Sequence, residues 1–299
     1  MIFLVGDNPF HGISHLSQDR ARVRDGAVTS PEYAAGLVMT SIENGADGFM
    51  FSVSDTTLSM LRIIRQRGGK PLSLYALVPY AYDYVRLATQ VGGIPGLARK
   101  FAWQLLLSAN FKAIMMGLKG VMGTDLAALL KAYVSYEVSR IRSAAGKCGK
   151  LDSVLLHEIV TDLALGLNLD SLFRSHVDFM LRLGIKPGFE TRNFPYFVSR
   201  FKEWGIDLHD VMIATPFNKI GFQMNPSRSE CEKALAQVPE SNVIAMSILA
   251  AGYLKLHEAI EYIGGLSNLK RVVVGVSKER HACETFRLLQ KELNECARL

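Results

Sequence analysis

The chain has 299 residues, 49% of them apolar and 21% charged, with a net charge of +6. That balance excludes a disordered or fibrous chain, and the length fits one large α/β barrel or two smaller domains, with a core that needs no disulfide staples. The cysteines Cys148, Cys231, Cys283 and Cys296 show no CxxC and no metal-finger spacing, so they read as reduced thiols. No basic leader precedes the first apolar run and no stretch reaches about 18 uncharged apolar residues. The expected location is the cytoplasm.

The first element is IFLVG (2–6), a buried-strand pattern that stops at GDNPFHG (6–12). Seven more apolar runs of strand type follow: DGFMFSVS (47–54), LSLYALV (72–78), SVLLHE (153–158), GFETR (188–192), VMIATPF (211–217), NVIAMSIL (242–249) and RVVVGVS (271–277). Segments with a 3.6-residue apolar period lie between them. SPEYAAGLVMTSIENG opens on Ser30-Pro31 and closes on Gly45, the usual order of N-cap, first-turn proline and terminal glycine. TTLSMLRIIRQRG is a second such segment. NPSRSECEKALAQV is a third, again opening on a capping residue followed by proline. ERHACETFRLLQKELNECARL, an amphipathic helix, closes the chain.

Eight strand–helix units with short links predict a (β/α)8 TIM barrel, one domain over residues 1–299. The strands are apolar on both faces, as buried parallel strands require. One interval is too long. About seventy residues separate strands three and four, and residues 81–150 predict a helical insertion, a subdomain or lid. The segment holds ten of the 34 Lys and Arg residues and three acids, Asp83, Asp125 and Glu137. Its basic character suits an anionic partner, and its Met- and aromatic-rich runs suit a core of its own or an oligomer contact. No recognised nucleic-acid module accompanies the charge, so nucleic acid is not the expected partner.

In such barrels the chemistry gathers at the C-terminal strand ends. Strand one brings Asp7, Asn8 and His11 there, and strand two Ser52, Ser54 and Asp55. Tyr80 follows strand three, and His157-Glu158 ends strand four. Strand five brings Glu190, Arg192 and Asn193, and strand six Thr215, Asn218 and Lys219. Strand seven brings Ser247 with Gly252 behind it, and strand eight Gly275, Ser277, Lys278 and Arg280. Asp7-Asn8-Pro9 also reads as turn chemistry. Glu190 and Arg192, two apart and so on one strand face, also read as a structural ion pair.

LDSVLLHEI (151–159), LGIKPGFETRNF (183–194), SILAAGYL (247–254) and VVVGVSKERHACETFRLL (272–289) together resemble, in order and spacing, segments of the aldo-keto reductase superfamily. The resemblance implies a barrel, NADPH as cofactor and an active-site histidine at His157. The family's further catalytic residues are an Asp and a Tyr after strand two and a Lys on strand three. Here Asp55-Thr56 echoes the Asp but sits about five residues late, no Tyr follows it, and LSLYALVPY carries no Lys. Thr191-Arg192-Asn193 stands where the family has a Ser-Asn pair, and Thr285 where it has an Asn.

Three readings stay open. In the first, an NADPH-dependent carbonyl reductase, Asn193, Ser247, Gly252, Gly275, Ser277, Lys278 and Arg280 hold the cofactor. His157 or Tyr80 gives the proton. In the second, a lyase, isomerase or hydrolase, Glu158 and Glu190 work as acid and base. Asp7, His11, His157 and Glu190 offer donors for a divalent metal, although no HxH or HExxH spacing is present. In the third, a non-catalytic barrel binds a ligand or partner through the basic insertion. The expected small-molecule ligand is anionic or phosphorylated.

Overall fold

A computed structural model describes residues 1–11, 30–68, 71–79 and 126–295 of the chain. Every strand pairs in parallel with its sequence neighbour, and the first pairs with the last, so the sheet closes into a barrel. The strands are β1 (Ile2–Gly6), β2 (Gly48–Ser52), β3 (Leu72–Val78), β4 (Gly149–Leu156), β5 (Lys186–Glu190), β6 (Met212–Pro216), β7 (Val243–Met246) and β8 (Arg271–Gly275). The helices are α1 (Pro31–Glu43), α2 (Asp55–Arg67), α3 (Leu126–Ala145), α4 (Glu158–Gly166), α5 (Asp170–Arg182), α6 (Phe194–Glu203), α7 (Arg228–Leu235), α8 (Leu256–Gly264) and α9 (Glu279–Gln290). None of these is long and apolar enough to cross a membrane.

The doubly apolar strands divide their side chains between two cores, because successive residues face opposite ways. Leu4, Met50, Tyr75, Leu77, Leu155, Met212, Ala214, Ile244 and Met246 fill the barrel interior, with Ile2 and Val273 beside them. The alternate residues, such as Phe3, Phe49, Val154, Phe189, Ile213 and Val272, pack against the helices. Behind β5 this outer core is aromatic: Phe189 meets Phe173, Phe197 and Phe201 at centroid distances of 5.3–5.5 Å.

Caps set the helix starts. Ser30 accepts from the Tyr33 amide ahead of Pro31, and Ser54 forms a capping box with Thr57. The expected start at Asn225-Pro226 moves to Ser227, which caps α7 by accepting from the Glu230 amide. Asn225 still belongs to the loop, where its amide donates to the Arg192 carbonyl.

Six strands, β2 and β4–β8, begin or end elsewhere than expected, and two of these shifts have a visible cause. β4 begins at Gly149, ahead of the expected 153, because a bulge at Asp152 lets Leu72 pair with Gly149 and Tyr75 with Ser153. β5 ends at Glu190 because the next free amide, that of Arg192, donates to the Asp162 carboxylate and not to β6.

The segment expected as an insertion divides. Residues 80–125, with Tyr80, Arg86, Arg99, Lys100, Lys112 and Lys119, lie outside the described residues. Leu126–Ala145 is α3, which packs between α2 and α5 and is the barrel's ordinary β3-to-β4 helix. Its buried residues Val134, Val138, Ile141 and Ala145 follow the helical period.

Candidate active site

Four strand ends bring ionisable side chains to the C-terminal mouth. At the end of β1 the Asp7 carboxylate, 5% exposed, accepts from the Ser52 amide at 2.6 Å, tying β1 to β2. The same oxygen lies 3.0 Å from His11 Nε2. Asn8–His11 is a single 3-10 turn closed by the Phe10 amide on the Asp7 carbonyl. The turn and an imidazole–carboxylate contact thus share the same residues, 7–11.

Across the mouth, β4 and β5 supply a second group. His157 caps α4, whose Ile159 amide donates to Nδ1 at 3.3 Å. An Nδ1 that accepts carries no proton, so the neutral ring bears its proton on Nε2. Nε2 lies 3.9 Å from Glu190 Oε2. Burial pushes this imidazole below its usual pKa, with Glu158 opposing and Arg192 assisting. Glu190 is 6% exposed. Burial first, then the Glu158 charge, pushes its carboxyl up to about 8, while Arg192 and a hydrogen bond from the Glu158 amide act against the rise. Near neutral pH both groups are uncharged, and each carries a proton.

Glu158 is held by an ion pair with Arg192 Nε. Arg192 also donates to Gln223 Oε1 at 2.7 Å, and its Nη2 lies 3.8 Å from Glu190 Oε1. The Glu190–Arg192 pair foreseen as structural is thus loose, and Glu158 is the tighter partner. Asp162, one helical turn beyond Glu158, accepts from the Thr191 hydroxyl at 2.6 Å and from the Arg192 amide at 3.0 Å. Burial raises its pKa, and those two hydrogen bonds oppose the rise.

The structure does not bring Asp55 to this group. It is the first residue of α2, with a side chain 96% exposed and paired with Arg140. Ser54 is engaged as a cap, and Asn218 holds its own loop through Phe222. Lys219 pairs with Glu261 on the outer surface. Tyr80 lies outside the described residues.

On the β7–β8 side the backbone carries the features. Ser247, Ala250, Ala251 and Gly252 all have positive φ, between 45° and 96°, conformations that concentrate at ligand sites. Gly275 is exposed at the mouth, and a Cβ there would lie 2.8 Å from the Pro9 ring. Lys278 is the exposed N-cap of α9 and makes no side-chain cap, and Ser277 precedes it half-buried. Arg280 points away, 83% exposed and paired with Glu284 at 2.7 Å. Asn193 stands ahead of α6 without a side-chain cap.

Among the described residues no three His, Cys, Asp or Glu side chains converge as a metal site requires. Sequence reasoning passed over Asp162, Gln223 and His176. Spacing from Glu158 could have found Asp162, and no local signal marks Gln223. His176 is fully buried on α5, edge-on to Phe189 at 5.6 Å.

No protein-family model, curated protein or solved structure matched the chain when it was compared with all three.

Proposed function

We propose that the chain is an acid–base enzyme of the lyase or isomerase class, moving a proton beside a carbonyl or carboxylate oxygen of a small polar substrate. One observation carries this reading: Glu190, with a pKa of about 8, faces the protonated Nε2 of a neutral His157 across 3.9 Å at the C-terminal mouth. A carboxyl that titrates near neutrality both takes and returns protons efficiently. The His157 Nε2–H donates to the substrate oxygen, where negative charge develops. Arg192, anchored by Glu158 and Gln223, gives an anionic substrate a counter-charge. The test is proton exchange into small keto and hydroxy acids in deuterated water, followed by NMR. Wild type exchanges a C–H beside the carbonyl, and Glu190→Gln loses that exchange by about 10²-fold or more. Equal exchange rates in both proteins defeat the proposal.

A second reading rests on the aldo-keto reductase resemblance and on the β7–β8 rim. The α9 amides, free of a side-chain cap, with Lys278 beside them and exposed Gly275 below, suit the phosphate groups of NADPH. Ser247, Gly252, Gly275, Ser277 and Lys278 would hold that end, and the cofactor would supply a hydride. The nicotinamide end fits poorly, because the Thr191 hydroxyl is already engaged by Asp162. Titration of NADPH into the protein tests this directly. No NADPH binding and no exchange together would favour a ligand-binding barrel.

A further inference from the structure

The floor of the barrel, at the N-terminal strand ends, holds two cations. Lys186 opens β5 two residues before Gly188, and Arg271 opens β8 two residues before Val273. Alternation turns both inward: Gly188 pairs with Leu155, and Arg271 pairs with Ile2 and Ile244, all residues of the interior layer.

Their surroundings are organised around positive charge. The Asn242 side chain donates to the Leu208 and His209 carbonyls at 2.7 and 2.9 Å, which turns its Oδ1 to accept from Lys186 Nζ at 2.6 Å. Ser153 Oγ donates to the Lys186 carbonyl at 2.9 Å. The Arg271 guanidinium is left over. Its Nε and Nη1 are buried and have no hydrogen-bond partner among the described residues. No carboxylate of the described residues reaches ion-pair distance of either cation, although Asp210 lies near enough to attract Lys186 while Arg271 repels it. Buried N–H groups on a charged side chain are costly to leave unpaired, and two like charges at one barrel end add repulsion. Ile2 and Ile244 beside Arg271 keep the local dielectric low, which strengthens the pull on an opposite charge. Lys186 and Arg271 are each only partly buried, so part of each side chain faces solvent while Arg271 Nε and Nη1 do not.

We propose that the barrel floor binds a small free oxyanion, of the size of inorganic phosphate, between Arg271 and Lys186. The anion takes the two unpaired guanidinium nitrogens and the free protons of the Lys186 ammonium, joining β5 to β8 across the floor. The site is independent of the mouth and of the chemistry proposed there.

Thermal unfolding of the full chain in phosphate and in chloride at matched ionic strength tests the proposal. Wild type is expected to show a saturable rise in Tm with phosphate, about 5 °C at a hundredfold saturation. Arg271→Met removes the saturable part and keeps the linear, non-specific gain that excluded salts give any protein. Arg271→Lys, which preserves charge and fold, weakens saturation without abolishing it. Lys233→Ala, on the exposed face of α7 and outside both sites, leaves the curve unchanged. A curve that is linear in wild type, or saturates equally in Arg271→Met, means that only bridging water meets Arg271, and overturns the site. Loss of saturation in Lys278→Ala alone moves phosphate to the mouth and overturns it as well.

Discussion

At the C-terminal mouth, Asp7 meets His11 and Glu158 meets Arg192, while at the N-terminal floor Lys186 and Arg271 meet no carboxylate among the described residues. The connections account for the contrast. Strands β1 and β4 run into a 3-10 turn and a short helix that carry partner side chains back over the mouth. The α5-to-β5 turn on the floor is only residues 183–185, too short to carry a counter-charge inward. Buried charge is therefore neutralised from within at one end and left for solvent or ligand at the other. One carboxyl at the mouth, Glu190, stays neutral instead of pairing tightly, and there the proposed chemistry sits.

The largest expected effect breaks that arrangement at Glu190. Its folded pKa, about 8, lies above the ordinary 4.5, so the folded state holds a proton that the unfolded state has lost between those values. The stability this contributes is complete below about pH 4.5 and falls as pH rises towards 8, with a slope of about 1.4 kcal/mol per pH unit. Glu190→Gln removes that slope, which urea titrations at a series of pH values will measure. Glu158→Gln sharpens the point, because it removes the charge that helps to raise Glu190. Glu190 should then titrate lower, as read by carbon NMR of its carboxyl.

Asp162→Ala should have the next largest effect. It leaves the Thr191 hydroxyl and the Arg192 amide without their acceptor beside the mouth. A loss of about 2–3 kcal/mol is expected, visible as a lower urea midpoint. Asp162→Asn, which keeps one acceptor, should cost less.

Much of the mouth was legible in the sequence, for a simple reason. Once eight strands close in parallel, every strand end becomes a mouth position, so His157, Glu158, Glu190 and Arg192 converge whatever the packing details. Asp55 shows the limit. It follows a strand, yet Ser54-Asp55 is also a helix start, and the capping box turned the Asp55 side chain outward to Arg140. The basic composition of 81–150 concealed the fact that 126–145 repeats the apolar period of a barrel helix. The floor was hidden more deeply. Lys186 in GIKPGFE and Arg271 in LKRVVVG look like ordinary turn charges, and only the register with Leu155, Ile2 and Ile244 turns them inward.

Gly275→Ala sharpens the comparison from the β8 side. The added Cβ would stand 2.8–2.9 Å from two atoms of the Pro9 ring, so the Asn8–His11 turn must move. Such overpacking costs about 1–2 kcal/mol. It should also disturb the His11–Asp7 contact, which the His11 ring resonances report. A Gly275→Ala protein with unchanged His11 resonances would mean that the turn is held by Asp7 alone.

The smallest effect is expected at Asp55. Its carboxylate is nearly all in solvent, and its partner Arg140 also has the buried Glu137 at 3.0 Å. An exposed ion pair contributes about 0–1 kcal/mol because water screens it and both side chains lose freedom. Asp55 also stands in the first turn of α2, where a negative charge favours the helix by a few tenths of a kcal/mol. Asp55→Asn should therefore shift the urea midpoint slightly and leave proton exchange by Glu190 unchanged. If exchange instead fell with Asp55→Asn as steeply as with Glu190→Gln, the carboxylate would have to swing from Arg140 into the mouth during turnover. The division between a paired outer rim and a reactive β4–β5 sector would then be wrong.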